Sequence, residues 1–227
     1  MLQLKSLDAS IGIIPILRGV DISLQAAETV ALIGRNGAGK TTVLRTIMGF
    51  TKVTRGEILF EGAPVTALHP PKRPALGIGY APEDRRLFSA FTVEENILLP
   101  AQAAGLDKGE TRRRLERAYH ILPELKAMTD RPGGAVSGGQ GKMVALARAL
   151  MLGTKLIMLD EPFQGLAPAL AQRYAEALRT LRDTDRSVTL IITESNPALL
   201  RGFADRTLVI ERGEVAAGTL DAERTPA

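Results

Sequence analysis

The stretch Thr29-Val30-Ala31-Leu32-Ile33-Gly34-Arg35-Asn36-Gly37-Ala38-Gly39-Lys40-Thr41-Thr42-Val43 decides how this chain is read. Its first five residues are apolar or β-branched and predict a buried strand, and a helical pattern starts near Thr41. Between them, Gly34 to Thr41 satisfies G-x-x-x-x-G-K-[ST] in full. Glycines are needed there because side chains would keep the backbone N–H groups from wrapping a row of phosphates, and the start of the following helix adds partial positive charge. The Lys40 ammonium is expected to bridge the β- and γ-phosphates and the Thr41 hydroxyl to ligate Mg2+, so ATP and Mg2+ are the implied cofactors. The expected nucleotide-binding set is Gly34, Arg35, Asn36, Gly37, Ala38, Gly39, Lys40, Thr41 and Thr42. A glycine-rich turn without function is the competing reading; the strand before it and the helix after it weigh against that.

Outward from this loop, Ile78–Ala81, Leu156–Asp160, Thr189–Thr193 and Thr207–Ile210 read as further strands, most of them followed by helix-forming sequence. Such alternation predicts α/β layering on a largely parallel, buried sheet, a P-loop NTPase core. Leu2–Leu7 and Val20–Leu24 predict an antiparallel β flank. From about Glu83 to Met151 strand patterning disappears, and Leu115, Ala118, Leu122 and Leu125 recur at helical spacing, which predicts an inserted α-helical subdomain over about 83–151 within one domain spanning 1–227. The Arg112-Arg113-Arg114 run reads as a solvated helix face, and the polar end from Asp221 to Ala227 as frayed.

Leu156-Ile157-Met158-Leu159-Asp160-Glu161 is an apolar strand ending in two carboxylates, at the edge where α/β sheets present ligands. Asp160 is placed to hold Mg2+ and Glu161 to orient or deprotonate a water that attacks the γ-phosphate. Composition narrows the rest. The 227 residues, 45% hydrophobic, can bury a full core, and the absence of cysteine removes disulfides and thiolate metal sites. No segment approaches the ~20 apolar residues that span a bilayer, so neither secretion nor membrane insertion is expected. A net charge of +4 with three Tyr, six Phe and no Trp offers few stacking platforms, and nucleic acid is not expected as a partner.

Val136-Ser137-Gly138-Gly139-Gln140, followed by a helical run through Met143, Leu146, Ala147 and Leu150, resembles the LSGGQ signature of ABC ATPases, with Val136 in place of the usual Leu. The resemblance extends over nearly the whole chain: Tyr80-Ala81-Pro82-Glu83 stands at the Q-loop with Glu83 at the usual Gln position, and Phe163-Gln164-Gly165-Leu166-Ala167-Pro168 stands at the D-loop. The pattern looks most like the smaller ATP-binding subunit of branched-chain amino acid importers, or of related urea and amide importers. What it implies is a pair of ATPase subunits, alike or different, in which Ser137, Gly138, Gly139 and Gln140 of one cap the ATP on the other's P-loop. It also implies Glu83 as a further Mg2+ contact, peripheral attachment at the cytoplasmic face of the cell membrane, and docking on membrane permease subunits around Glu83–Phe88. Transported solute is not expected to bind this chain directly.

Two positions depart from the family pattern. Ile11 stands where an aromatic often stacks on adenine, which loses a ring–ring contribution of roughly 1 kcal/mol. Ser195 stands where His or Gln supports the γ-phosphate and the attacking water; serine is too short to span that distance, so Ser195 is expected to contribute weakly beside Lys40 and Glu161. His69 and His120 read as ordinary loop and helix-surface residues. An ATP-binding partner with a weakened hydrolytic site, or a non-transport ABC ATPase acting on ribosomes or DNA, are the alternatives to an importer motor.

Overall fold

The structure is a computed structural model and describes residues Met1–Leu220; the end expected to be frayed, from Asp221, lies outside the described residues. In chain order the elements are β1 (Leu2–Ile11), β2 (Ile14–Leu24), β3 (Thr29–Ile33), α1 (Lys40–Ile47), β4 (Lys52–Phe60), β5 (Ala63–Pro64), β6 (Ile78–Ala81), α2 (Val93–Ala103), α3 (Lys108–Ile121), α4 (Gly138–Leu150), β7 (Leu156–Asp160), α5 (Pro168–Thr184), β8 (Thr189–Glu194), β9 (Arg206–Glu211) and β10 (Glu214–Gly218), with short 3-10 turns between them. The fold is mixed α/β. It divides into two compact units, one of Met1–Leu76 with the chain from Thr189 onward, the other Gly77–Val188.

In the first unit β3 is buried along its whole length and lies between parallel β8 and β9, which explains its unbroken apolar sequence. Its register with β8 pairs Ile33 with Glu194, so both carboxyl ends finish at one edge of the sheet. An antiparallel sheet in the order β2-β1-β4-β5 forms the expected flank and is longer than the sequence suggested. Strands β4, β5 and β10 were not anticipated. In β4, Gly56 interrupts a charged run, but its φ of 81° and lack of a Cβ let the chain pass the bulged Lys5–Leu7 backbone of β1. Strand β10 returns from β9 through Arg212 and Gly213, both left-handed, the geometry of a tight two-residue hairpin.

In the second unit β6 and β7 pair in parallel, Ile78 with Leu156 through Ala81 with Leu159. Gly79 allows α4 to press against β6, since a Cβ there would run into the Ala149 carbonyl. No named strand lies among residues 83–151, where α2, α3 and α4 form. The helical stripe drawn through Leu125 is corrected: α3 ends at Ile121, and Leu122 leaves the helix at φ −128° because the residue before Pro123 is driven out of the α region. Leu122 and Leu125 are buried even so, in the turn that follows. The arginine run is corrected in part as well. Arg112 and Arg113 are exposed, whereas Arg114 is mostly buried and donates to the Met151 carbonyl at 2.7 Å.

Candidate functional site

The loop from Gly34 to Gly39 turns between the end of β3 and the start of α1 under constraints the glycines meet. A Cβ on Gly34 would strike the Ile210 carbonyl, and Gly37 and Gly39 hold φ values of 80° and 116°. Neighbouring backbone fastens the loop from behind: the Gly213 N–H donates to the Ala38 carbonyl at 2.9 Å, and the Arg18 N–H donates to the Gly213 carbonyl at 2.9 Å. That scaffold joins three distant stretches of chain and has no local sequence signal. Gly39 is the N-cap of α1; no side chain caps this helix and no acid occupies its first turn. Such a helix head is suited to receive an anion.

Lys40 is buried, 4% exposed, and its ammonium donates to the carbonyls of Gly34 at 2.6 Å and Arg35 at 3.1 Å and to Ser195 Oγ at 3.0 Å. The Ser195 hydroxyl in turn donates to Asn36 Oδ1 at 2.8 Å. The register of β8 on β3 brings Ser195 beside the loop, where its short side chain grips Lys40 and Asn36 themselves. Thr42 is buried and Thr41 half-buried, while Arg35, Asn36 and Gly37 are exposed at the loop's outer side. Ile11, Ile13 and Ile14 form the exposed apolar tip of the β1–β2 hairpin, around a Gly12 with φ 60°. Glu194, one residue before Ser195, is a buried carboxylate at the end of β8.

In the second unit Asp160 ends β7 and Glu161 follows it, 2% and 5% exposed. The Tyr80 hydroxyl donates to Asp160 Oδ2 at 3.2 Å, and the Lys142 ammonium donates to the Glu161 carbonyl at 2.5 Å. Glu161 adopts φ 46°, a left-handed conformation that is strained for a residue with a side chain and is often met at functional sites. Glu83 is exposed in the segment after β6. Among the described residues no group of three or more His, Cys, Asp or Glu is arranged to hold a metal. A site built from few protein oxygens fits Mg2+, which keeps water and substrate phosphate among its ligands, and does not fit Zn2+.

Ser137 caps α4 in a reciprocal box: its Oγ accepts from the Gln140 N–H at 3.3 Å, and Gln140 Oε1 accepts from the Ser137 N–H at 2.9 Å. Ser137 and Gly138 stay exposed and Gly139 is buried. Arg85, itself at φ 58°, donates to the Gly138 carbonyl at 2.8 Å and so ties the segment after β6 to the head of α4. Phe88 is 48% exposed and stacks on Phe91 with ring centroids 5.3 Å apart; Leu87 is half-buried. Buried Asn96 holds that segment by accepting from the Phe88 N–H at 2.8 Å and donating to the Phe88, Phe91 and Thr92 carbonyls.

A family model described as ABC transporter matches residues 17–164. The chain is 35% identical over 216 residues to a probable branched-chain amino acid transport ATP-binding protein, LivF, of Archaeoglobus fulgidus, covering 95% of this chain and 90% of that one. It is 36% identical over 215 residues to the high-affinity branched-chain amino acid transport ATP-binding protein BraG of Pseudomonas aeruginosa, covering 95% and 91%. A lipopolysaccharide export system ATP-binding protein, LptB, of Acidithiobacillus ferridurans is 33% identical, covering 95% and 88%. Among solved structures, a dimeric ATP-binding cassette in a post-hydrolysis state bound to ADP and Pi superposes with TM-score 0.84 at 25% identity, covering 97% of this chain and 99% of that one.

Proposed function

This chain belongs to the ABC transporter family as one of its ATP-binding, ATP-hydrolysing subunits, and we propose that it powers an importer of branched-chain amino acids or related small polar solutes. The observation that carries the catalytic part is the buried Lys40 ammonium at the uncapped head of α1, inside a loop whose glycines leave the backbone open. The two relatives named for branched-chain amino acid transport favour the solute class; the relative named for lipopolysaccharide export marks how far one cassette design is shared.

In the proposed reaction the loop amides from Gly34 to Gly39 and the α1 head bind the phosphates, and Lys40 turns from its carbonyl partners to the β- and γ-oxygens. Thr41 and Asp160, with Glu83 as a third candidate, would hold Mg2+, which would neutralise phosphate charge when bound. Glu161 orients a water and accepts its proton as the water oxygen bonds to the γ-phosphorus and the bond to ADP breaks. Ser137, Gly138, Gly139 and Gln140 of one subunit cap the nucleotide on a second ABC ATPase subunit, alike or different. The exposed Phe88 and its neighbours from Glu83 onward dock on membrane permease subunits at the cytoplasmic face; among the described residues no helix is long and apolar enough to cross a membrane.

The test is reconstitution with permease and solute-binding subunits, measuring ATP-driven leucine uptake into vesicles. Glu161→Gln should lower single-turnover phosphate release by roughly 10²–10³-fold with ATP affinity within about twofold of wild type. Parallel loss of binding would break the assignment of Glu161, and ATP turnover without uptake of any amino acid or amide would remove the proposed solute class.

A further inference from the structure

Arg73 is the largest side chain sealed from solvent, 1% exposed. Its guanidinium makes four hydrogen bonds, all donated to main-chain carbonyls: Nη1 to Thr46 at 2.9 Å and Ile47 at 2.5 Å, Nε to Leu68 at 3.1 Å, and Nη2 to Thr66 at 2.9 Å. Thr46 and Ile47 are the last two residues of α1, and their carbonyls belong to the set that a helix cannot satisfy internally. Gly49 turns away at φ 80°, and a Cβ on it would stand 2.8 Å from Arg73 Cζ and Nε, so this turn is shaped around the guanidinium.

A full positive charge thus sits at the negative end of the helix whose other end meets the phosphates. Eight residues of helix separate the two, about 12 Å. Burial draws the Arg73 pKa down, yet a guanidinium remains charged in a protein. The signature helix offers a control. At the end of α4, Arg117 donates to the carbonyls of Leu150 and Gly153 and Arg114 donates to that of Met151, but each is also paired with a carboxylate: Arg117 with Asp185 at 2.6 Å, Arg114 with Glu110 at 2.5 Å. Among the described residues no carboxylate pairs with Arg73. A plug for helix carbonyls does not need a charge left uncompensated in a dry interior, where an unpaired ion is costly; a second, anionic charge arriving at the far end of α1 would make use of it.

We propose that Arg73 is a positioning residue for the phosphates of the nucleotide: it clamps the end of α1 to the Thr66–Leu68 segment and holds the cradle at the helix head in its binding geometry. This rests on the ATP-binding reading above. The cation acts through α1 and touches no substrate atom.

The experiment is calorimetric titration of the full chain with MgATP, together with steady-state hydrolysis in the assembled transporter. Wild type must bind MgATP first; failure there overturns the ATP-binding reading itself. Given that binding, Arg73→Met, which keeps bulk and removes charge, should raise the ATP Kd at least fivefold in protein that is still folded by its thermal melt. KM should rise in step while kcat stays within twofold, and Arg73→Lys should restore the Kd to within about twofold of wild type. A residue that merely fills space would lower Tm and leave these ratios alone. An ATP Kd within twofold of wild type in folded Arg73→Met overturns the proposal, as does a Lys variant no better than Met. Should Arg73→Met fail to fold, Gly49→Ala, which drives a methyl into the guanidinium, should raise the Kd at least threefold; an unchanged Kd there overturns it equally.

Discussion

Two helices of this chain begin with glycines at a motif proposed to handle phosphate, and they begin differently. The head of α1 has Gly39 as its N-cap, with no side-chain cap and no acid in its first turn. The head of α4 is closed by its own Ser137–Gln140 box. The first is prepared to take an anion within this chain. The second engages the amides of Ser137 and Gln140 with its own side chains. A glycine N-cap costs only about a few tenths of a kcal/mol relative to Ser, so α1 goes without a side-chain cap at little expense in stability.

The largest effect that tests this contrast is at Lys40. In Lys40→Ala the charge at the α1 head is lost; ATP affinity of the isolated chain should fall at least tenfold and turnover in the assembled transporter by about 10³-fold, measured by nucleotide titration and phosphate release. Affinity equal to wild type would break the comparison at its first term. Next is Ser137→Ala, which removes the α4 cap. Thermal unfolding without nucleotide should fall by about 2–4 °C, and turnover of the assembled transporter by tenfold or more, with ATP affinity of the isolated chain unchanged. A loss of affinity in the isolated chain would place the signature within the same subunit's nucleotide site. The smallest effect is at Ser195, which grips Lys40 and Asn36. Ser195→Ala should lower single-turnover phosphate release about threefold, and Ser195→His, which adds reach, should raise it several-fold without tightening ATP binding. If Ser195→Ala leaves the rate untouched, the hydroxyl is idle and Glu161 carries the step without it.

The contacts of Ser195 are not legible in its own stretch of sequence. Its distance from the loop depends on which strand lies beside β3, and the pairing of Ile33 with Glu194 is a fact of sheet register. The same holds for Tyr80 against Asp160 and Lys142 against the Glu161 carbonyl. The stop of α3 is of another kind: Pro123 announced it, and the hydrophobic period carried past it. In β4 the glycine and charges hid a strand that only its pairing with β1 and β5 makes one.

By itself the sequence determined the elements whose cause is local: the strand-loop-helix of Gly34–Thr41, the apolar strand into Asp160 and Glu161, and the Ser137 helix start. Each follows from glycine conformations, apolar runs or caps that act within a few residues. Tertiary structure alone decided what Lys40 and Ser195 touch, how Gly213 and Arg18 brace the loop, and that a buried Arg73 closes the far end of α1. Apart from the Lys40 bonds to Gly34 and Arg35, those contacts join residues tens or hundreds of positions apart. Main-chain carbonyls accept most of them, and since every residue carries a carbonyl, no residue type in the sequence announces which one will be used.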